Sequence, residues 1–277
     1  MERYDQLLYW VKERHRIKKV KEAGQQPPYT LDPVLQNYRF TNVHREDDTV
    51  TKWIHKHWCR PNQHDRDLWF AILVSRLINL PETLQELGFM SHWDNEHFIK
   101  VLRSRKNRGL RIYNGAYMLA THKHKMDKTD YYAWRLENIY GHRDNIRPRS
   151  GDKLQYFYDR LIIHDGFSSF MVSQVIADIK HYEPLTQATD WWSFAQPGPG
   201  SLRGMRRLYG QQPTDTSRDK QWSNRMETYR VILNKDLNGL GIKEVCAQNA
   251  QNILCEFDKY MRALSGEGRP KQKYNGG

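Results

Sequence analysis

The sequence predicts an all-α fold from three observations: apolar residues recur at helical spacing, strand alternation and βαβ spacing are essentially absent, and periodic segments are separated by short polar breaks. The breaks fall around residues 23–30, 142–152 and 210–217, with no fixed-period repeat or low-complexity tract. At 277 residues, 38% hydrophobic and 12% aromatic, the chain can build a core as one large domain or two modest ones. The division read from the sequence is a basic N-terminal helix over 1–30 and a helical domain over 31–277, with no firm internal boundary.

In chain order, the N-terminal MERYDQLLYWVKERHR gives the first helix. In FTNVHREDD, residues 40–48, Thr41 or Asn42 can cap a helix whose first turn carries Arg45, Glu46, Asp47 and Asp48. Acids in a first turn are ordinary helix chemistry, so Asn42 and Arg45 are the groups left to read a base or bind a phosphate. Asp65 can cap DLWFAILVSRLINL, which stops at Pro81 and whose nearly unbroken apolar run predicts a buried central helix. Further helices are predicted over 94–105, 152–164, 168–181, 217–237 and 242–264. The last carries Ile242, Val245, Ile253, Phe257, Tyr260, Met261 and Leu264, with Gly241 just before it.

Charge narrows the function classes. The chain holds 44 Lys and Arg against 32 Asp and Glu, a formal +12, which is the footprint of a protein that neutralises phosphates. No apolar run approaches the roughly 20 residues that span a bilayer. The N-terminus lacks the order of a signal peptide, so the expectation is a soluble cytoplasmic protein. Three cysteines are too few for a disulfide framework or a four-cysteine site. His55, His57, Cys59 and His64 match no established zinc spacing, so neither metal nor cofactor is expected. The absence of a P-loop motif and of a G-x-G-x-x-G after a strand argues against a P-loop kinase and a dinucleotide enzyme.

The stretch QPGPGSLRGMRRLY, residues 196–209, carries the most specific local signal. A Pro-Gly-Pro-Gly turn leads into a basic helix whose open N-terminus is a phosphate seat. Gly198 and Gly200 permit close backbone approach, Ser201 can cap the helix, and Arg203, Arg206 and Arg207 add charge. Gly204 costs helix stability relative to Ala, which points to a close backbone or helix contact there. A plain Gly-Pro turn joining two helices is the alternative.

Two further stretches combine amides, aromatics and charge. IYNGAYM, residues 112–118, follows a basic run over 103–111, and Asn114 and Tyr117 could contact or stack on an exposed base; packing of Tyr113 on Tyr117 is the bland alternative. In LCEFDKYMR, residues 254–262, a helix would project Cys255, Asp258 and Lys259 to one side and set Glu256 three residues from Lys259. Surface ion pairing would explain that, but the following GEGRPK offers Arg269 and Lys271 as clamps for a polyphosphate or a DNA strand.

The segments YRFTNVHREDDTV, NGAYMLATHK, SSFMVSQVIADIKHY, PGPGSLRGMRRLYG and LCEFDKYMRALSGEGRPKQKY resemble the helical family of phage thymine-hypermodification proteins, over residues 38–274. That family comprises alpha-glutamyl/putrescinyl thymine pyrophosphorylases, amino acid:DNA transferases and the helical domain of 5-hydroxymethyluracil DNA kinases. The resemblance implies a helical DNA-glycosylase-like fold with a helix-hairpin-helix element at residues 197–201, gripping double-stranded DNA. It implies replacement of the pyrophosphate on an activated 5-hydroxymethyluracil in DNA by an amino acid or polyamine, with a 5-hydroxymethyluracil DNA kinase as functional partner and the host cytoplasm as location.

Such a reaction needs a base for the amine and cations for the departing pyrophosphate. Asp178 in FMVSQVIADIKHY is the first candidate base, with Glu256 and Asp258 behind it; pairing of Asp178 with Lys180 or His181 on a helix surface is the alternative. Arg45, Lys259, Arg269 and Lys271 are candidate clamps, and Asn42, Asn114 and Gln174 could hydrogen-bond an extruded pyrimidine. Two other functions stay open. A DNA glycosylase would use Asp215, although the hairpin-to-acid spacing is short, and a non-catalytic DNA-binding module would depend on Arg203 and Arg206 but not on Asp178.

Overall fold

The computed structural model describes residues 2–114, 125–215 and 219–267. Every regular element among them is helical, with no β-strand. The α-helices are α1 (Glu2–Glu22), α2 (Pro33–Asn37), α3 (Thr49–Ile54), α4 (Leu68–Ile78), α5 (Pro81–Leu87), α6 (Asn95–Asn107) and α7 (Lys128–Gly141). They continue with α8 (Arg143–Ile146), α9 (Leu154–Ile162), α10 (Ser169–Ile179), α11 (Pro199–Leu208), α12 (Trp222–Gly239) and α13 (Ala247–Leu264). None is long and apolar enough to cross a membrane.

The chain forms two compact units, the first from Met1–Asp48 with Ala195–Gly277 and the second from Thr49–Phe194. Unit 1 therefore joins α1 and α2 to α11, α12 and α13. On α1, Leu7, Trp10, Val11, Arg14 and Ile17 are buried at the spacing of one helix face, and the same core takes in Met205 of α11, Met226 and Leu233 of α12, and Phe257 of α13. Arg14 is the single charge on that stripe, and it reaches the segment that follows α2.

Unit 2 is organised around α4, every residue of which is buried. The apolar run predicts this correctly, and its end has two causes. Asn79 adopts φ 49°, returning its N–H to the Ser75 carbonyl, and Pro81 opens the next helix. The cap differs from expectation. Asp67, not Asp65, occupies the N-cap position, while Asp65 uses its carboxylate to accept the Asp67 N–H at 2.8 Å.

The helices predicted over 94–105, 152–164 and 168–181 form within a few residues of their expected ends, and Asp94 and Ser168 cap α6 and α10 with their side chains. The helix expected to be capped by Thr41 or Asn42 is instead a single 3-10 turn, Arg45–Asp47, that follows His44 without a side-chain cap, and α3 begins only at Thr49. The last two start later than predicted. α12 begins at Trp222, and α13 begins at Ala247 because Val245 is held by Asn234, whose side chain both donates to the Val245 carbonyl and accepts its N–H.

Candidate functional site

α13 is the organising element of unit 1, and three of its faces do different work. Ile253, Leu254, Phe257 and Met261 enter the core. Gln251, Cys255 and Asp258 meet α11. Asn249, Asn252, Glu256 and Lys259, spaced three or four residues apart, meet the segment 40–48.

The α11 side is a close helix crossing. A Cβ on Gly204 would lie 2.2 Å from the Leu254 carbonyl oxygen, and one on Gly200 would lie 2.3 Å from the Cys255 sulfur. The suspicion of a close contact at Gly204 holds, and Gly200 makes its approach to a neighbouring helix. Ser201 is not the N-cap: Gly198 is, and the fully buried Ser201 hydroxyl accepts the Gly198 N–H at 3.0 Å while receiving Gln251 Nε2 at 3.3 Å. Burial, with Glu256 adding to it, pushes the Cys255 thiol up to about 12, as befits a packing group.

Asp258 sits wholly buried among guanidiniums. Arg203 Nε donates to it at 2.7 Å and Arg207 Nε at 3.0 Å, and Arg262 Nε pairs with it at 3.2 Å. Arg207 also bonds Glu267, and Arg206 is buried with a hydrogen bond to the Asp215 carbonyl. Cys255 and Asp258 thus face α11, whereas Lys259 points to the other side, separating residues that the helical reading had grouped.

On that other side the predicted residues Asn42, Arg45, Glu256 and Lys259 converge. Glu256 accepts the Thr41 N–H at 3.0 Å and the Lys259 ammonium at 3.1 Å, and Lys259 lies 4.5 Å from the centre of the Phe40 ring. Asn249 fixes the Arg45 backbone by accepting its N–H at 3.2 Å and donates to Glu46 at 3.0 Å; Asn252 donates to Thr41 Oγ1 at 2.9 Å. Arg14 bonds the Thr41 carbonyl at 3.0 Å and Asn42 Oδ1 at 2.8 Å. Asn42 in turn gives its N–H and its side-chain amide to Asp48, at 2.8 and 3.1 Å.

Asp48 is the residue that sequence reasoning missed. Burial, with Glu256 adding to it and the Asn42 N–H, Arg45 and Arg14 opposing it, lifts its carboxyl to about 6. It read as one of several first-turn acids, and nothing local marked it. Arg14, Asn249 and Asn252 were missed for the same reason, since they reach the cluster only through folding. A carboxyl raised to about 6 beside a second carboxylate, an ammonium and two guanidiniums is suited to moving a proton near an anion.

The raised carboxyl has a stability consequence. The folded state holds the Asp48 proton more tightly than the unfolded chain, so this contribution is fully present below 3.8 and is lost as pH rises through about 6. Wild-type stability relative to Asp48→Asn is expected to fall across that window and then level off. Urea unfolding of both proteins from pH 4 to 7 checks this, and a pH-independent difference would contradict it.

Unit 2 holds a second polar constellation. Arg76, the one charge in α4, donates to both carboxylate oxygens of the fully buried Asp178 on α10, from Nη2 at 2.8 Å and also from Nε. Its Nη2 also donates to Thr51 Oγ1 at 3.0 Å and its Nη1 to Asn79 Oδ1 at 3.2 Å. His55 bridges Asp178 at 3.4 Å and the Tyr182 hydroxyl at 2.8 Å, and burial pushes the Tyr182 and Cys59 groups up. Asp178 is therefore not a helix-surface acid. Gln174 is buried one turn earlier on α10, and Asn114 donates its backbone N–H to the Ile78 carbonyl at 3.1 Å. Tyr117, Arg269 and Lys271 lie outside the described residues.

Three comparisons bear on this chain. A family model described as "5-hmdU DNA kinase, helical domain" matches residues 1–269. A "5-hmdU DNA kinase" of Bacillus phage SP10 is 23% identical over 91% of the chain. The chain spans about half of that relative, 45% of its length. No solved structure matches.

Proposed function

Since the chain belongs to the family of 5-hmdU DNA kinase helical domains, we propose that it acts in thymine hypermodification, attaching an amine to an activated 5-hydroxymethyluracil in double-stranded DNA. The amine nitrogen bonds to the C5 methylene as the carbon–oxygen bond to pyrophosphate breaks. Pyrophosphate leaves with the bonding electrons, and the new ammonium gives up a proton. An amino acid or polyamine supplies the amine, and a 5-hydroxymethyluracil DNA kinase activity supplies the activated base. The basic helix α11, entered through Gly198, serves as the hairpin grip on DNA in a glycosylase-like fold, with the part-exposed Arg203 contributing charge and the buried Arg206 bracing the segment at Asp215.

The observation that carries this reading is the carboxyl pair Asp48 and Glu256 beside Lys259 and Arg45. A carboxyl at about 6 accepts a proton at neutral pH, and the cations offset charge developing on pyrophosphate. Asp178 is the weaker base, because both its oxygens are committed to Arg76 inside a sealed core.

The test is incubation with DNA carrying 5-pyrophosphoryloxymethyluracil and a mixture of amino acids and polyamines, followed by nucleoside mass analysis. An amine adduct with released pyrophosphate is expected, with Asp48→Asn and Glu256→Gln slowed about 100-fold or more. The wild-type rate should rise with pH through about 6. Unchanged DNA would sink the transferase reading, and loss of the base would establish a glycosylase instead.

A further inference from the structure

We infer that α6 and the turn after it form a phosphate-binding surface for duplex DNA within unit 2, additional to the α11 hairpin; this rests on the reading that DNA is the substrate. Residues 100–111, KVLRSRKNRGLR, hold six cationic side chains and no acid. Phe98, Leu102 and Arg105 are the buried stripe of α6, which leaves Lys100, Arg103 and Lys106 on its outer side. These three follow one another at about 4.5 Å of helix rise. Arg108 and Arg111, just beyond, are also exposed.

The sixth cation explains why the turn holds its shape. Arg105 is only 5% exposed and donates to the Arg111 carbonyl from Nε at 3.1 Å and from Nη2 at 2.9 Å, and to the Glu82 carbonyl at 3.3 Å, with Glu86 as its ion-pair partner. Gly109, at φ +70°, supplies the left-handed step that lets the chain fold back onto Arg105, and the Leu110 N–H returns to the Arg105 carbonyl at 3.0 Å. Arg111 then bonds the Asn114 carbonyl at 3.2 Å. A buried guanidinium is thus used to build a rigid turn that presents two exposed ones.

The carboxylates nearby do not close this surface. Arg103 pairs with Asp130 at 2.7 Å, Lys106 with Asp127 at 2.8 Å, and Arg108 with Glu86, but the three cationic side chains remain 57%, 60% and 50% exposed. Such water-exposed pairs are weak and exchange readily for a phosphate oxygen. The helix dipole accounts for cations in the last turn of α6, but Lys100 lies before that turn and Arg111 beyond it.

The test measures binding of the full chain to a labelled, unmodified DNA duplex across about 50 to 200 mM salt. The variant replaces Lys100, Arg103, Lys106 and Arg108 with Gln; a control replaces Lys56, Arg66, Arg149 and Lys153, which are exposed and in the same unit. The slope of log affinity against log salt should flatten by about 2 to 4 in the variant, at about 0.9 for each lost phosphate contact, and hardly change in the control. Should the fourfold variant fail to fold, the single changes Lys100→Gln and Lys106→Gln are each expected to flatten it by about 0.9. An unchanged slope, or an equal change in the control, overturns the surface. Wild-type protein that does not bind duplex DNA sinks both this surface and the functional reading, whereas binding with the expected slope change but no amine transfer sinks only the reaction.

Discussion

Gly204→Ala is expected to destabilise unit 1 by about 2–4 kcal/mol, the range of overpacking at a site that cannot relax. The sign is the informative part. In an open helix the same change would stabilise by about 1 kcal/mol, because Ala is the better helix former. Here the added carbon meets backbone: the Leu254 carbonyl oxygen at 2.2 Å and its carbon at 2.8 Å. Backbone in mid-helix cannot move aside without breaking its own hydrogen bonds. Gly200→Ala meets the Cys255 sulfur instead, and Cys255→Ala removes that atom and leaves the Cys255 Cβ 3.3 Å away. The double change Gly200→Ala with Cys255→Ala should therefore recover most of the loss, while no side-chain truncation on α13 rescues Gly204→Ala. Urea unfolding of Gly204→Ala against wild type, with wild type, Gly200→Ala, Cys255→Ala and their double variant read as a double-mutant cycle, decides it. A stabilised Gly204→Ala would mean that α11 and α13 are farther apart than the structure places them.

Asp178→Asn is expected to cost about 3–5 kcal/mol, because it strands the Arg76 guanidinium without its charge partner in an apolar core. Arg76 is 1% exposed and Asp178 0%, so neither charge can turn to water. Replacing both, as Arg76→Met with Asp178→Leu, should be far milder than either single change, since the desolvation cost disappears with the pair. Unfolding measurements give the ordering; a loss below about 1 kcal/mol in Asp178→Asn would show that the pair does not close the core. The same variant separates stability from chemistry. Asp178→Asn protein that is folded at low temperature should still transfer amine, whereas Glu256→Gln should fold and fail.

Much of the fold was legible in the sequence because helical periodicity is local. The apolar run 68–78 announced its own burial and Pro81 its end, and the helices expected to open at 94 and 168 begin one residue later, at Asn95 and Ser169. The late start of α13 was not legible, since the Asn234 side chain that holds Val245 comes from another helix. Gly204 was readable as a contact from its helix cost alone, but the contact's nature needed the partner helix.

The candidate site divides in the same way. Glu256 and Lys259 were readable as a pair because three residues on a helix are neighbours by geometry, and Asn42 and Arg45 because they remained once the neighbouring acids were read as ordinary first-turn residues. Asp48 was not. Its proton affinity comes from burial beside Glu256, 208 positions away in the chain, and from Arg14 on α1. Asp178 gave the opposite lesson, since a helix acid that looked available proved to be neutralised by Arg76, a residue whose surroundings read as purely apolar.

The sequence by itself determined the helical class, the basic character and the order of the elements, because propensity, periodicity and net charge need no partner to be read. Tertiary structure alone decided which charges are spent and which are poised. A carboxylate's proton affinity and a cation's availability depend on the dielectric and the neighbours that folding brings to it, and those neighbours lie far away along the chain.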